Sequence, residues 1–254
     1  MNQQQKYILN LQRKSRERKR QQAFVIEGRK MFEEAPADRV KMIVASESFC
    51  KSKEGAALLK GKKFDVVSDS IFETLSDTKT PQGILAVVKQ QPYSFEELLG
   101  KDRASFLLIL DHLQDPGNLG TILRTVDSIG LNQIIVSKGT ADAFNSKVVR
   151  STMGAIFRIK IIEVENLAQA IKEMRKHHFK LMVTSLQTKN SIYDIDFYKK
   201  IIVIGNEANG VSKEIQDMAD EKAKIPMLGR TESLNASVAA GVVMYEYVRQ
   251  KLSK

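Results

Sequence analysis

Six short apolar runs, at 106–110, 133–137, 159–164, 180–185, 201–204 and 223–226, alternate with helical patterns over the stretch 105–252. Runs that are apolar almost throughout cannot keep one face in water. Such strands sit inside a sheet covered on both sides, and strand–helix–strand alternation makes that sheet mostly parallel. Helical patterns at 119–129, 146–153, 167–177, 213–218 and 236–252 supply the covering layers. In the first of these, Leu119, Ile122, Leu123, Val126 and Ile129 form one buried stripe, which directs Arg124 elsewhere. The expectation is an α/β fold.

The N-terminal third follows a looser alternation. Residues 3–22 read as one polar, basic helix with Tyr7, Ile8 and Leu11 as its apolar stripe. Strands are expected at 24–26, 40–45, 64–67 and 84–89, with helices at 28–35, 53–60 and 70–75, which makes a small α/β unit. The polar, Pro-broken stretch 89–94 marks a boundary, so the domains are read as 1–92 and 93–254.

Charge narrows the class of partner. The chain carries a net +10, and residues 1–30 hold nine Lys and Arg against Glu17 and Glu27. Clustered cations favour polyanions, because each phosphate neutralised releases counterions. Cys50 is the only cysteine, which excludes an internal disulfide and a Cys-based zinc site, and His112, His177 and His178 lack metal-ligand spacing. No metal is expected. No run reaches membrane-span length and no secretion signal opens the chain, so a reducing cytoplasm is the expected location.

Three loops carry the candidate chemistry: 110–125, 204–212 and 225–237. Each begins at the end of an apolar run and breaks into Gly, Pro, Asn and Ser before a helix resumes. Ligands of open α/β sheets sit at such strand ends, so three of them suggest one shared pocket. Asn118 is a good N-cap for the helix that follows, and Arg124, nearly two turns on, can lie on the same side. An arginine is a poor base at neutral pH, so Arg124 suits holding a phosphate or stabilising a developing alkoxide. Glu207 could cap a helix or bond nearby amides, and either Ser233 or Asn235 could be no more than an N-cap. His112, beside Asp111, suits a supporting role. Ala236, Ala239, Ala240 and Gly241 keep one face of the last helix small, in a core or across a dimer. Gly-x-Gly-x-x-Gly, Gly-x-x-x-x-Gly-Lys-Ser/Thr and Gly-x-Ser-x-Gly are all missing, which argues against Rossmann, P-loop and α/β-hydrolase chemistry.

In order and spacing these loops resemble motifs 1, 2 and 3 of the SpoU (TrmH-like) branch of the SPOUT-class RNA ribose methyltransferases, over roughly residues 105–250. The resemblance implies a mostly parallel sheet threaded as a trefoil knot, S-adenosylmethionine as cofactor, a ribose 2′-hydroxyl as acceptor, and a homodimer. It assigns catalysis to Arg124, Asn118, Ser233, Asn235 and Glu207, the last shaping the pocket. It assigns the cofactor to Gly205, Asn206, Glu207, Ile225, Met227, Ser233, Leu234 and Asn235. Residues 24–28 and 80–84 resemble the small ribosomal-protein-like domain of several rRNA-modifying relatives, which implies large-subunit ribosomal RNA as substrate. A tRNA ribose methyltransferase is the nearest alternative, followed by a non-catalytic RNA-binding or ribosome-assembly factor on the same fold.

Overall fold

The first strands of the computed structural model, which describes residues 2–98 and 105–253, are β1 (Ala23–Glu27), β2 (Val40–Ser46), β3 (Asp65–Val67) and β4 (Ile84–Lys89). They form one sheet in the order β1-β4-β2-β3, antiparallel except between β2 and β3. Ile8 and Leu11 of the N-terminal helix pack against Val25, Val87, Phe72 and Leu75 to close its core. The unit comprises residues 1–91 together with 142–157, and a second unit comprises 92–141 and 158–254. Phe144 and Phe157 pack against Phe24 of β1, with ring centroids 5.0 and 6.2 Å away, on the sheet face opposite Ala23 and Val25.

The basic N-terminus differs from the single helix expected. Two helices, Gln3–Arg13 and Ser15–Gln21, are separated at Lys14, whose backbone is extended. Arg18 explains the break. Only 3% exposed, its guanidinium donates to the Leu11 and Gln12 carbonyls at 2.6 and 2.8 Å and pairs with Asp142 at 2.7 Å. An unbroken helix would spend those two carbonyls on its own N–H groups; the break leaves them to be capped by the arginine. A buried guanidinium is stable only when paired and hydrogen-bonded, and Arg18 meets both conditions. It therefore leaves the set of cations that can face a polyanion.

The second unit holds β5 (Phe106–Leu110), β6 (Gln133–Ser137), β7 (Lys160–Val164), β8 (Lys180–Thr184), β9 (Lys200–Ile204) and β10 (Glu221–Ala223). Their order is β10-β8-β9-β5-β6-β7, and every neighbouring pair is parallel. From β5 the chain builds outward to β7, then crosses to the other side for β8, β9 and β10. The reversal falls between β5 and β9, the place where open α/β sheets bind ligands. Ile109, Ile135, Ile162, Leu181 and Val203 pack one face of the sheet against Ile171, Met174 and Ile215. On the other, Tyr247 of helix Ala236–Leu252 stacks on Phe106 with centroids 4.5 Å apart.

Strand β10 ends three residues earlier than its apolar run. Its last pair is Ala223 with Thr184, where β8 itself ends. Lys224 then turns to the 190–192 loop, donating to the Asn190 carbonyl and accepting from Ile192 N–H at 2.9 and 3.0 Å. Pro226 has no N–H to continue a ladder. Residues 224–235 are thereby free to line a cavity.

Candidate active site

Helix Pro116–Ser128 begins two residues before the candidate cap. Asp115, not Asn118, is its N-cap: the Asp115 carboxylate accepts from Asn118 N–H at 2.7 Å, and Pro116 takes the first position, where its missing N–H costs nothing. Asn118 is buried, and its side chain is left for tertiary contacts. Nδ2 donates to Glu207 Oε1 at 3.0 Å, and Oδ1 accepts from Asn235 Nδ2 at 2.9 Å. One polar chain thus links the three loops.

Glu207 also accepts from the backbone N–H groups of Gln114 and Asp115 at 3.2 and 3.1 Å. Burial pushes its carboxyl up, but the Asn118 amide and the backbone donors together outweigh that and hold it below the usual carboxylate range. A carboxylate so stabilised is a weak base, consistent with shaping the pocket. Asn235 caps helix Ala236–Leu252, its Oδ1 accepting from Ser237 and Val238 N–H. It serves as cap and cross-link together.

The 205–211 loop is pinned from both ends by the Asp111–His112 pair. Asp111, 1% exposed, accepts from Ser212 N–H at 2.9 Å, and His112 Nδ1 lies 2.7 Å from its other oxygen. Burial raises the Asp111 carboxyl, yet the Ser212 backbone and hydroxyl and the His112 ring hold it below its ordinary range. The His112 carbonyl accepts from Asn206 Nδ2 at 2.9 Å. Asn206 Oδ1 in turn accepts from Ala208 and Asn209 N–H, while Asn206 and Gly210 exchange two backbone bonds of 2.9 Å. Gly205 permits this tight return: a Cβ there would stand 2.1 Å from backbone atoms of Gly210 and Val211.

A cavity of about 400 Å³ opens against these loops. Gly205, Asn206, Glu207, Ile225, Met227, Ser233, Leu234 and Asn235 all line it. Sequence reading missed Thr184, Ser185 and Leu186 at the end of β8, together with Lys224 and Ala239. The signal for the β8 end was there, since that apolar run also gives way to a polar loop at a strand end. Ala236 and Ala240 are buried in the chain's own fold and Ala239 lines the cavity, so the small face of the last helix turns inward.

Arg124 is not among the residues that line this cavity. Six residues at about 100° each carry its backbone position roughly a third of the way round the helix from Asn118. Asn118 is buried and Arg124 exposed, on the side that carries exposed Thr121 and Ser128. Ser128 Oγ lies 3.4 Å from the Tyr245 hydroxyl of the last helix. Among the described residues no group of His, Cys, Asp and Glu could hold a metal ion, and no helix is long and apolar enough to cross a membrane.

The family model described as the SpoU rRNA Methylase family matches residues 105–245. The chain belongs to the SpoU family. An MRM3-like substrate binding domain model matches residues 2–86. The chain is 34% identical over 234 residues to 23S rRNA (guanosine(2553)-2'-O)-methyltransferase RlmP of Bacillus subtilis, covering 91% of this chain and 90% of that protein. The SpoU methyltransferase AviRb of Streptomyces viridochromogenes, solved in complex with the cofactor AdoMet, superposes with a TM-score of 0.88 and 26% identity, over 100% of this chain and 99% of that one. The A. aeolicus TrmH/SpoU tRNA modifying enzyme, at 30% identity and a TM-score of 0.54, covers 63% of this chain and 81% of its own.

Proposed function

We propose that this SpoU-family chain methylates a ribose 2′-hydroxyl of large-subunit ribosomal RNA, taking the methyl group from S-adenosylmethionine. The observation that carries the reading is the cavity at the strand reversal, lined by all eight residues expected at the cofactor. Its size suits a cofactor of this class, since small-molecule sites run from about 300 to 1,000 Å³. Leu186, Ile225, Met227 and Leu234 offer apolar surface for a purine, and the backbone at Gly205 offers polar groups at close range. Glu207, held ionised, and Lys224 suit a ligand that carries both charges.

S-adenosylmethionine, when bound, supplies an electrophilic methyl group on a sulfonium. The chain's own task is to hold the ribose hydroxyl in line and stabilise the oxyanion that develops as its proton leaves. Arg124, permanently cationic and exposed, suits that task together with a grip on the neighbouring phosphate. Asn118, Glu207 and Asn235 keep the three loops in register; Ser233, exposed at the cavity rim, completes the polar set. The knotted threading implied by the family belongs to these same loops.

A homodimer is part of the reading. Val238, Tyr245 and Leu252 are 50%, 54% and 82% exposed, and their seven-residue spacing puts them in one apolar strip along the last helix. A second copy on that strip would bury it, next to Ser128 on the exposed side of helix Pro116–Ser128 that also carries Arg124. Ribosomal RNA is preferred over tRNA because the rRNA-directed relative matches nearly the whole chain, whereas the tRNA enzyme leaves over a third of it unmatched. The cytoplasm is the matching compartment.

The test is transfer of labelled methyl from S-adenosylmethionine to in vitro transcribed 23S rRNA and to bulk tRNA, followed by mapping of ribose methylation. Label in a single 23S nucleotide, resistant to alkaline cleavage, is expected. Label on bases, or on tRNA alone, would overturn the assignment.

A further inference from the structure

Unit 1 carries an exposed cluster of cations that no single stretch of sequence contains. Its centre is Asp77, whose Oδ2 accepts from Ser146 Oγ at 2.5 Å and from Arg150 Nη1 at 2.8 Å. Those bonds fasten the start of helix Ser146–Ser151 to the loop that follows helix Asp69–Leu75. Gln12 Nε2 donates to the Leu75 carbonyl at 2.8 Å, which brings the end of helix Gln3–Arg13 to the same loop. Arg13 lies close enough for its charge to be felt at Asp77. The loop is braced from beneath: Glu27 accepts from Ser76 Oγ, Thr78 Oγ1 and Asp77 N–H, so that carboxylate is satisfied internally.

Arg13, Lys14, Lys79 and Lys147 stand exposed around this junction, with Arg150 half-buried against Asp77. Among the described residues none of the four exposed cations has an ion-pair contact. Five cations against the two carboxylates Asp77 and Glu27 leave a local net charge of +3. The cluster contains no large apolar side chain, which the centre of a protein–protein interface would need. Cations set on three separate, mutually bonded elements suit a backbone of regularly spaced phosphates.

We propose that this composite face docks the phosphate backbone of the RNA substrate on unit 1. The inference rests on the reading of the chain as an RNA methyltransferase and adds where the RNA is held. The basic N-terminus contributes through Arg13 and Lys14, while Arg18 is internal. Lys147 and Arg150 come from within the stretch 105–245 that the methylase model matches, outside the substrate-binding match at 2–86. The face therefore exists only when 142–157 is folded onto the first sheet.

The experiment is filter binding of protein-free, in vitro transcribed 23S rRNA to the full chain across a series of KCl concentrations. The variant R13Q/K14Q/K79Q/K147Q removes the four exposed cations and spares both donors of Asp77. At roughly 0.7–0.9 counterions per contact, its log–log salt slope should be shallower by about 3. An equal-charge control, K41Q/K60Q/K62Q/K63Q, clears the lysines around a separate shallow cavity of the same unit and should move the slope by less than about 1. K147Q alone should lower the slope by nearly 1, which a binding site confined to the N-terminus would not produce. An unchanged slope in the first variant, or an equal fall in the control, overturns the docking face. Methyl transfer at saturating RNA, read on the same preparations, separates the two ideas. Wild-type protein that binds through this face but never methylates would refute the functional reading alone.

Discussion

Replacing Gly205 by alanine tests the cavity most directly, because the obstruction is backbone. The new Cβ would lie 2.1 Å from the Gly210 carbonyl carbon and from Val211 nitrogen. Ordinary contact needs well over 3 Å, so the 205–211 return must open by about 1 Å or more, and no side chain can swing aside to absorb it. Opening it breaks the two 2.9 Å backbone bonds between Asn206 and Gly210. At about 0.5–1.5 kcal/mol each, their loss costs about 1–3 kcal/mol. If the closed loop is the form that binds cofactor, affinity should fall by about fivefold to a hundredfold, since about 1.4 kcal/mol is one decade. Calorimetric titration of S-adenosylmethionine into Gly205→Ala reads this, with Gly241→Ala as the control. Gly241 lies in a helix with nothing within 4 Å of its would-be Cβ, so alanine there should leave affinity unchanged and stabilise by up to about 1 kcal/mol. Cofactor affinity of Gly205→Ala within twofold of wild type would mean that this return does not form the cofactor wall.

Arg124→Ala should slow methyl transfer by about 10²–10³ while calorimetry finds cofactor affinity nearly unchanged, and Arg124→Lys should recover little of the rate; parallel loss of binding and rate would move Arg124 to the cofactor. The pair Val238→Glu/Tyr245→Glu should sediment as a monomer with transfer lost and unit 2 still folded; a fully active monomer would remove the dimer from the mechanism. Asp111 has a depressed carboxyl in the folded chain, so its stabilisation is complete above its ordinary value of 3.8 and is lost as pH falls through the lower folded value. The stability gap between wild type and Asp111→Asn in urea should therefore be widest near neutral pH and narrow in acid. A gap independent of pH would show that the 205–211 loop is anchored by shape and not by the Asp111 charge.

Much of the second unit was legible from residue order. Buried strands announce themselves because a strand covered on both faces has few polar positions; the loops that line the cavity begin where those runs stop, and the family resemblance named the residues within them. Legibility ended wherever a side chain's partner is distant in sequence. Arg18 looks like its basic neighbours and became internal because two freed carbonyls and Asp142 were waiting for it. Asn118 looked like a cap, but Asp115 took that role and released the amide to Glu207 and Asn235. The small face of the last helix read equally well as core or interface; burial of Ala236 and Ala240 chose core and left Val238, Tyr245 and Leu252 outside. Arg124 is exposed, as the apolar stripe of its helix implied, and stands about a third of a turn from Asn118, because a six-residue interval is not a whole number of helical turns.

Local sequence by itself determined most of the strands and helices, where the loops that could hold a ligand begin, and that the chain favours a polyanion. Period, polarity and turn chemistry are properties of neighbours along the chain, so a one-dimensional reading captures them. Which carboxylate meets which amide was decided only by the tertiary structure. Glu207 reaches Asn118, and Asp77 reaches Arg150 and Ser146, across some seventy to ninety residues. Hydrogen bonds of about 3 Å depend on positions that only the packed sheets and helices supply.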